Sequence, residues 1–537
     1  MNTISSLVTL SLLTASATSQ AVGGRWVPAT QINGTTQLER LGMEVSGIGD
    51  VDGDSSADLL IGSSVADAGG LGDAGSIYVF SGATGELLLQ IDGSIVGAEL
   101  GFSVSAAGDI DLDGAQDIVA GAPGATSHTY VYSGLDGSVI LALTNSLADR
   151  LGESVAGIGD VNLDGYPDIL AGAPSANANG NALSGSAYVY SGVDGGRLHQ
   201  FHGIHPFDRL GASVSAAGDA TGDGVPDFAI AAPFSAAAGN ANAGRVTIHS
   251  GIDGSVVLEV SGRNANDNLG SALSAVGDAN QDGFADLLVG ASGGAGYVVL
   301  ISGADGAQLS QVDGDSLNAR IGNTVAGLGD VNGDGILDMA AGGIQEVFVF
   351  STAGSLLTVI SRAGDFGASV AGVGDVNGNG LEDLLVGAPD TSPYGVHAAG
   401  SAFAYAFDPF LYASARQLST AAGGIVDFAL NFPRSEARRG YALLLSASGT
   451  GPSDLLGTEV PLSEDGLYFR SVAGWYPRGF ERQRGLLDAS GAAGARFTLA
   501  PGHPELIGRV LYLAAVSAQA EIDVRLSSAA VAINFLP

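Results

Sequence analysis

The stretch LGESVAGIGDVNLDGYPDILAGAP, residues 151–174, decides the fold, because its pattern of spaced residues recurs along the chain. Asp160 stands eight residues after Gly152, Asp168 stands eight residues after Asp160, and Gly172-Ala173-Pro174 begins four residues later. Seven units keep both spacings of eight residues, which chance does not explain, so we identify an internal repeat. The units begin at Leu41-Gly42, Leu100-Gly101, Leu151-Gly152, Leu210-Gly211, Leu269-Gly270, Ile321-Gly322 and Phe366-Gly367.

Each unit contains four short runs that are typical of β-strands. In the third unit these runs are residues 153–159, 169–172, 187–190 and 198–201, with a turn at Asp194-Gly195 between the last two. Four antiparallel strands repeated every 45 to 59 residues are the pattern of a propeller blade, whereas a β-solenoid has a shorter period. The 84 glycines of the 537-residue chain also favour many turns between short strands. The sequence therefore predicts an all-β fold with a seven-bladed β-propeller over residues 22–409.

The last unit lacks a fourth strand of its own. Its third run, residues 402–407, is followed by Asp408-Pro409 and a change of pattern. Residues 26–34, just before the first unit, are similar to the fourth runs of other units, such as residues 309–314. We therefore expect residues 26–34 to form the outer strand of the last blade, which closes the ring and covers the edges of its sheets.

The apolar-Gly start, the Asp-rich loop and the Gly-Ala-Pro element resemble the FG-GAP repeats of integrin α subunits and of related bacterial exported proteins. The resemblance covers residues 26–408. Three units depart from Gly-Ala-Pro, with Gly62-Ser63-Ser64, Ala231-Ala232-Pro233 and Gly342-Gly343-Ile344 in its place. The resemblance implies a propeller whose loops bind calcium and which acts in adhesion or ligand recognition.

The segment between the two spaced aspartates, called loops 1 to 7 in chain order, reads Asp-x-[Asp/Asn/Thr]-x-[Asp/Asn]-[Gly/Ser]-x-x-Asp. Side-chain oxygens at positions 1, 3, 5 and 9 and the backbone carbonyl of position 7 supply the hard oxygen ligands that calcium prefers. An EF-hand would instead need Glu at position 12 and flanking helices. We therefore predict up to seven Ca²⁺ ions, one in each loop. The predicted ligands are Asp50, Asp52, Asp54, Ser56 and Asp58 in loop 1; Asp109, Asp111, Asp113, Ala115 and Asp117 in loop 2; Asp160, Asn162, Asp164, Tyr166 and Asp168 in loop 3; Asp219, Thr221, Asp223, Val225 and Asp227 in loop 4; Asp278, Asn280, Asp282, Phe284 and Asp286 in loop 5; Asp330, Asn332, Asp334, Ile336 and Asp338 in loop 6; and Asp375, Asn377, Asn379, Leu381 and Asp383 in loop 7.

The number of charges differs among the loops. Loops 1 and 2 have four carboxylates each at the side-chain positions, whereas loop 7 has only Asp375 and Asp383. Thr221 replaces the acid or amide at position 3 of loop 4. Two carboxylates about 4 Å apart repel by about 4 kcal/mol at an effective dielectric constant of about 20, so a crowded loop needs a cation. The charge count predicts that loop 7 binds calcium most weakly.

The whole chain is strongly acidic, with 56 Asp and Glu against 20 Lys and Arg and a net charge of -36. This charge disfavours nucleic acid and anionic membranes as partners, because their phosphates would be repelled. Cysteine is absent, so no disulfide can staple the fold. Residues 1–21 contain an apolar run at 7–13 and end in Ser19-Gln20-Ala21, which indicates a signal peptide cut near Ala21. The segment lacks the usual Lys or Arg, and a disordered leader is the alternative. No later stretch is long and apolar enough to span a membrane, so we expect a secreted or cell-surface protein.

Residues 410–537 lack the repeat. Apolar runs at 424–430, 441–446, 496–499, 510–516 and 521–526, separated by Gly, Pro and Ser, predict a C-terminal all-β domain similar to a β-sandwich.

The motifs His-Glu-x-x-His and the phosphate-binding loop are absent from the chain. Together with this absence, the resemblance to integrin α subunits implies a protein that binds rather than catalyses, with adhesion to or recognition of an extracellular protein or glycan through the loops at one rim of the ring. Two alternatives stay open. One is a hydrolase or lyase that acts on extracellular polysaccharide or lipid at the propeller channel, and the other is a structural surface-layer component. The oligomeric state stays open as well.

Overall fold

The computed structural model describes residues 24–537 apart from 147, 238, 315–319, 332–335, 410, 414–416, 433–437, 449–452, 456, 457, 461, 464, 465, 473–475, 490, 519–523, 529 and 530. The signal peptide predicted at residues 1–21 therefore lies outside the described residues. Regular structure in the described part is almost entirely β-strand, and seven four-stranded antiparallel sheets form the blades of a β-propeller. The predicted fold class is confirmed. Within the same described part, no helix has the length and apolar character needed to cross a membrane.

The described chain begins with β1 (Gly24–Asn33), which belongs to the last blade. The next six blades are each built from four consecutive strands, paired in chain order. Blade 1 contains β2 (Glu44–Gly49), β3 (Asp58–Ser63), β4 (Ser76–Phe80) and β5 (Leu87–Asp92); blade 2 contains β6 (Val104–Gly108), β7 (Asp117–Ala122), β8 (His128–Tyr132) and β9 (Val139–Thr144); blade 3 contains β10 (Ser154–Gly159), β11 (Asp168–Ala173), β12 (Ser186–Tyr190) and β13 (Arg197–His202).

Blades 4 to 6 repeat this arrangement, and blade 7 takes its fourth strand from the start of the chain. Blade 4 contains β14 (Ser213–Gly218), β15 (Asp227–Ala232), β16 (Arg245–His249) and β17 (Val256–Ser261); blade 5 contains β18 (Leu269–Gly277), β19 (Asp286–Ala291), β20 (Tyr297–Ile301) and β21 (Gln308–Asp313); blade 6 contains β22 (Thr324–Leu328), β23 (Asp338–Gly342), β24 (Glu346–Ser351) and β25 (Leu356–Ser361); blade 7 contains β26 (Ser369–Gly372), β27 (Leu384–Ala388), β28 (Ser401–Pro409) and β1.

The second strand of each blade forms the core of the ring and is buried along its whole length. Its small and aliphatic residues, such as DILAGA in β11, allow neighbouring blades to pack against both faces of the sheet. A strand covered on both faces is apolar throughout rather than alternating, which is the pattern seen here. The fourth strands, such as β13, are only partly buried and lie at the outer edges of the sheets.

The first strands of neighbouring blades are joined by hydroxyl groups. Ser103 Oγ of blade 2 accepts a hydrogen bond from the backbone N–H of Val155 in blade 3, at 3.1 Å. Ser369 Oγ of blade 7 accepts one from the backbone N–H of Val45 in blade 1, also at 3.1 Å. The same kind of contact therefore links consecutive blades and the two blades at which the ring closes.

The closing strand is β1, which pairs antiparallel with β28. The structure places residues 24–33 in this strand, where the sequence predicted residues 26–34. Ile32 pairs with Ala402 and is only 6 % exposed. At the other end of the strand, the Trp26 ring contacts the Phe407 ring edge-on with centroids 5.8 Å apart. Two chain segments more than 360 residues apart in sequence thus form one sheet.

The described part of residues 411–537 contains two further main sheets and one short helix. Side chains from both sheets, such as Val426, Phe497 and Leu513, share one buried cluster, as in a sandwich. The predicted runs at 424–430, 441–446, 496–499 and 510–516 each fall inside a strand, and residues 524–526 of the run at 521–526 lie in another strand, while residues 521–523 lie outside the described residues. The elements are β29 (Leu411–Ala413), β30 (Gln417–Ser419), β31 (Gly424–Asn431), β32 (Gly440–Ser446), β33 (Ser453–Leu455), β34 (Thr458–Val460), α1 (Gly466–Val472), β35 (Phe480–Glu481), β36 (Arg484–Leu486), β37 (Ala492–Leu499), β38 (Val510–Ala518), β39 (Val524–Ser527) and β40 (Val531–Leu536).

Candidate metal centres

Each acidic loop connects the first strand of a blade to the second. In blade 3 the pairing of β10 with β11 shifts register between Gly157 and Gly159, and loop 3 starts at the next residue. Gly159 has a φ of +75°, and a Cβ atom on it would lie 3.0 Å from Pro226 of the next blade, so both the backbone and the space favour glycine. The bulge turns the chain out of the sheet, and Asp168 at position 9 returns it as the first residue of β11.

The position 1 carboxylate organises each loop from within. In loop 3, Asp160 Oδ1 accepts the backbone N–H of Asp164 at 3.0 Å, and Asp160 Oδ2 accepts that of Gly165 at 2.8 Å. Asn162 Oδ1 also accepts the Asp164 N–H, at 2.9 Å, and Asp164 Oδ1 accepts the Tyr166 N–H at 3.0 Å. The side chains at positions 1, 3 and 5 are thus held on the inner side of one tight turn. Equivalent hydrogen bonds to the position 1 carboxylate occur in loops 1, 2, 4, 5 and 7.

The position 9 carboxylate is fully buried and joins the loop to a second turn of the same blade. Asp168 Oδ2 accepts the backbone N–H of Val161 at 3.0 Å, and Asp168 Oδ1 accepts that of Gly192 at 3.1 Å. Gly192 belongs to the Ser-Gly-x-Asp-Gly turn between the third and fourth strands. The loop and this turn therefore lie side by side at the same end of the blade. The position 9 residues of loops 1, 2, 4 and 5 make the same pair of contacts.

Carboxylates converge most closely in loops 1 and 2. One oxygen from each of Asp50, Asp52 and Asp58 lies within 4.8 Å of the others, and Asp109, Asp111 and Asp117 form a matching group. In loops 3, 5 and 7 position 3 is an Asn, and in loop 4 it is Thr221, so an amide or hydroxyl oxygen stands in place of the third charge. Each carboxylate oxygen has two lone pairs, so an oxygen that already accepts one backbone N–H can still coordinate a cation. The donor set is all oxygen, which fits a hard cation such as Ca²⁺.

Loop 7 offers an additional sign that a cation fits. Asp383 Oδ2 accepts the backbone N–H of Val376 at 3.0 Å, but Asp383 Oδ1 is buried and accepts no hydrogen bond from the described residues. Blade 7 has no hairpin after β28, and the backbone of Phe407 lies at this carboxylate in place of the hairpin glycine and lowers the pKa of Asp383. A buried carboxylate oxygen without a donor is costly, and a bound cation would remove that cost.

Loop 6 is described only at its ends. The predicted ligands Asn332 and Asp334 lie outside the described residues, as does the middle of the loop. Asp338 is buried at the start of β23, and its Oδ2 accepts the backbone N–H of Val331 at 3.0 Å. The position 9 contact inside the loop is therefore the same as in the other loops.

Burial raises the pKa of the position 9 carboxyl groups. The pKa values of Asp58, Asp117 and Asp168 rise to about 6, and that of Asp383 rises to about 7. Loss of hydration is the largest cause in each, backbone N–H groups partly offset it, and the neighbouring acids of the loop raise the pKa further. The pKa values of the equivalent groups in loops 4 and 5 are raised as well. In the absence of a cation, the loops therefore hold protons more tightly than free carboxyl groups do.

We expect the cation-free protein to lose stability as the pH rises from about 4 to about 8. The unfolded carboxyl groups titrate near pH 3.9, whereas in the fold the pKa values of Asp58 and Asp383 are about 6 and 7. A pKa raised by folding adds stability below the unfolded pKa, and that stability is lost as the pH passes through the folded pKa. Thermal unfolding in EDTA at several pH values measures this, and a midpoint that rises from pH 5 to pH 8 would contradict it. Added calcium should reverse the loss.

We also expect the loops to bind calcium unequally, with loop 7 the weakest. Calcium affinity rises with the number of charged ligands, and loop 7 has two carboxylates where loop 2 has four. In calorimetric calcium titrations of the full chain, Asp375→Asn should remove the weakest binding step and Asp109→Asn should remove a tight one. The charge-count hypothesis fails if Asp375→Asn removes the tightest step.

The sequence motif located the loop residues, and the structure adds two features that it did not reveal. The first is that the buried position 9 carboxylate is bonded to a hairpin glycine, such as Gly82 for Asp58, 24 residues further along the chain. The recurrence of a Ser-Gly-x-[Asp/Thr]-Gly turn in units 1 to 5 was the available signal, but nothing in it assigns a partner. The second feature is the positive φ at position 4 of the loops, for example +60° at Leu112.

Comparison with known proteins gives one family match, which covers four of the seven repeat units, and several relatives. The FG-GAP repeat family matches at residues 151–190, 210–249, 269–301 and 366–405, which are units 3, 4, 5 and 7. The chain is 31 % identical to chicken (Gallus gallus) integrin alpha-V over 212 residues, and 33 % identical to Xenopus laevis integrin alpha-5 over 215 residues. These alignments cover 36 % of the chain and 20 % of each integrin. Rat (Rattus norvegicus) phosphatidylinositol-glycan-specific phospholipase D is 34 % identical over 170 residues, covering 27 % of the chain and 20 % of that protein. The chain thus spans about a fifth of the length of these relatives.

Proposed function

This chain is an integrin-like FG-GAP repeat protein with a β-propeller, and from that premise we propose that it is an exported calcium-binding protein that recognises an extracellular protein or glycan. Up to seven Ca²⁺ ions occupy loops 1 to 7 in this proposal. They hold one face of the ring in a fixed shape, and the ligand binds to loops at a rim of the propeller.

The observation that carries the proposal is the convergence of three carboxylate oxygens within 4.8 Å in loops 1 and 2. Backbone N–H groups hold the acids of these loops in place, so the charges cannot spread apart without breaking hydrogen bonds. Solvated turns would not need this arrangement, because mutual repulsion disfavours it. A divalent cation supplies the missing positive charge and stabilises the loops.

The proposed recognition function is supported by the similarity to integrin α subunits and by the match of four units to the FG-GAP repeat family. Loops supported by a rigid scaffold are common places for binding residues. The net charge of -36 favours cationic groups on the ligand, or neutral glycans, over nucleic acids. Export agrees with the leader predicted at residues 1–21.

A second candidate function is hydrolysis of an extracellular lipid or polysaccharide at the central channel, and the similarity to a phospholipase D favours testing it. The channel is a cavity of about 530 Å³ lined mainly by Ser, Ala and Val, with Glu44 and Glu153 as its only acids among the described residues. Glu153 is paired with Arg150 at 2.8 Å, and the described lining contains no His, Tyr or Arg. This lining supplies few groups for acid and base catalysis, so binding is the better supported function.

The experiment is a binding screen of the full chain against glycans and extracellular proteins, in calcium and in EDTA. We expect one or more ligands to bind in calcium, to be released in EDTA and to bind again when calcium is restored. Asp109→Asn with Asp111→Asn should weaken binding, whereas Asp136→Asn, in a hairpin of the same blade but outside the ligand set, should not change the calcium dependence. Ligand binding that is equal in EDTA contradicts the proposal. Turnover of a lipid or glycan substrate would favour the second candidate, and self-assembly without any ligand would favour a structural role.

A further inference from the structure

Two leucines occupy strained and exposed positions in the acidic loops. Leu112 in loop 2 and Leu163 in loop 3, both at position 4, have φ angles of +60° and +61° and are 57 % and 68 % exposed. This left-handed conformation is costly for a side chain with a Cβ atom and is free of that cost for glycine. Loops 1, 4 and 7 have glycine at this position, namely Gly53, Gly222 and Gly378. Neither the turn nor cation binding therefore requires leucine, and its presence adds both strain and exposed apolar surface.

The hairpins of the same blades add three more exposed aliphatic side chains. Leu135, Val193 and Ile252 stand at the variable position of the Ser-Gly-x-Asp-Gly turns in blades 2, 3 and 4, and each is between 51 and 62 % exposed. The same position is Ala83 in blade 1 and Ala304 in blade 5. At these loop and hairpin positions, large aliphatic side chains therefore occur only in blades 2 to 4 of the described chain.

These loops and hairpins lie next to one another on a single face. Gly192 in the blade 3 hairpin lies against loop 2. A Cβ atom placed on this glycine would be 3.6 Å from Ile110 Cγ2, which is ordinary van der Waals contact. Gly251 in the blade 4 hairpin packs against loop 3 in the same way, 3.2 Å from Val161 Cβ. Around the ring the order is therefore loop 2, blade 3 hairpin, loop 3 and blade 4 hairpin. We call the five side chains on this face the aliphatic patch: Leu112, Leu135, Leu163, Val193 and Ile252.

The aliphatic patch is framed by negative charge. Asp136, Asp194 and Asp253 are exposed and directly follow its three hairpin members. A backbone N–H two residues further on fixes each carboxylate, at 2.7 to 2.9 Å. Loops 2 to 4 and these hairpins contain no Lys or Arg at residues 108–117, 133–138, 159–168, 191–196, 218–227 or 250–255. The three hairpin acids lie outside the proposed ligand sets, so their charges remain when the loops hold calcium.

We propose that the aliphatic patch binds an amphipathic, Lys- or Arg-rich segment of a protein partner. The aliphatic side chains of that segment cover the patch, and its basic side chains pair with Asp136, Asp194 and Asp253. Charge complementarity selects this partner over a lipid surface or a nucleic acid, because the acidic frame repels phosphate groups. Exposed apolar surface rimmed by charge is typical of protein interaction sites. The inference rests on the proposed recognition function and names the chemistry of one of its ligands.

The test measures binding of a synthetic Leu/Lys amphipathic peptide to the full chain in calcium by calorimetry or fluorescence anisotropy. Leu112→Gly with Leu163→Gly introduces the residue that the glycine-bearing loops already have. We expect this double variant to bind the peptide about tenfold more weakly or worse while its thermal midpoint stays equal or rises. Ile204→Ser, an equally exposed aliphatic residue in the connection after β13, is the matched control and should bind as the parent does.

A second set of variants tests the charge frame. Asp136→Asn, Asp194→Asn and Asp253→Asn together should weaken binding and reduce its dependence on salt, and a Leu/Glu peptide of the same pattern should not bind. Equal binding by the leucine double variant, or by the Leu/Glu peptide, overturns the inference. Loss of binding to phosphatidylserine vesicles in the double variant would also overturn it, since it would assign the patch to a lipid surface. If the screen in calcium and EDTA finds ligands whose binding is unchanged by these variants, the recognition function is supported but this surface does not carry it. If the screen finds no ligand, the proposed recognition function is itself contradicted.

Discussion

Removal of divalent cations with EDTA is expected to lower the midpoint of thermal unfolding of the full chain by more than about 10 °C. A ligand at a hundredfold excess over its dissociation constant stabilises the folded state by about 2.7 kcal/mol per site, and several loops contribute at once. Without a cation, the crowded carboxylates of loops 1 and 2 repel one another, and the buried Asp383 Oδ1 lacks a donor. Differential scanning calorimetry in millimolar calcium and in EDTA gives the two midpoints.

Paired variants show whether the shift comes from the loops. Asp109→Asn with Asp111→Asn removes two of the three carboxylates that converge in loop 2. The difference between the thermal midpoints in calcium and in EDTA should therefore become smaller without disappearing. Asp136→Asn changes an exposed acid in the hairpin of the same blade and should leave the shift unchanged. Equal midpoints in calcium and EDTA for the parent protein would refute the proposed role of the cation.

Ile32→Asp is expected to lower the free energy of unfolding by about 4 kcal/mol or more, or to prevent folding. Ile32 lies in the closing strand, pairs with Ala402 and packs into a buried cluster with Leu41 and Leu59. The substitution buries an unpaired charge and weakens the only strand that covers the edge of β28 in blade 7. Equilibrium unfolding of the full chain in urea measures the loss.

The matched control is Gln31→Asp, the neighbouring residue on the exposed side of the same strand. It introduces the same charge without burying it, so its free energy of unfolding should stay within about 0.5 kcal/mol of the parent. If Ile32→Asp does not fold, Ile32→Ala gives a measurable loss of about 2 to 5 kcal/mol. An Ile32→Asp protein as stable as Gln31→Asp would mean that residues 24–33 do not close the ring.

The propeller could be predicted in some detail because its main determinants are local and repeated. Each blade repeats the spacing seen between Gly152, Asp160 and Asp168, and in every blade the first two strands pair with each other. The closing strand was found by elimination, since blade 7 lacked a fourth run and residues 26–34 resembled one. Its bounds differ by up to two residues because pairing with β28 continues to Pro409.

The parts that could not be predicted depend on contacts between distant residues. The pairing of Asp168 with Gly192, and the rise in pKa that burial causes, require the hairpin and the loop to be brought together by the fold. In the C-terminal part, five runs of apolar residues predicted strands, but no repeat specified their partners. The parallel pairing of β30 with β40 and the short helix α1 depend on tertiary packing that the pattern does not encode.

Native mass spectrometry of the full chain in calcium tests the central claim most directly, because it counts the ions held by the folded protein. We predict a folded species that carries up to seven calcium ions, with loops 1 and 2 filled first, and one ion fewer in Asp109→Asn with Asp111→Asn. A folded chain that retains no calcium, or that loses none when these two acids are replaced, would contradict the account.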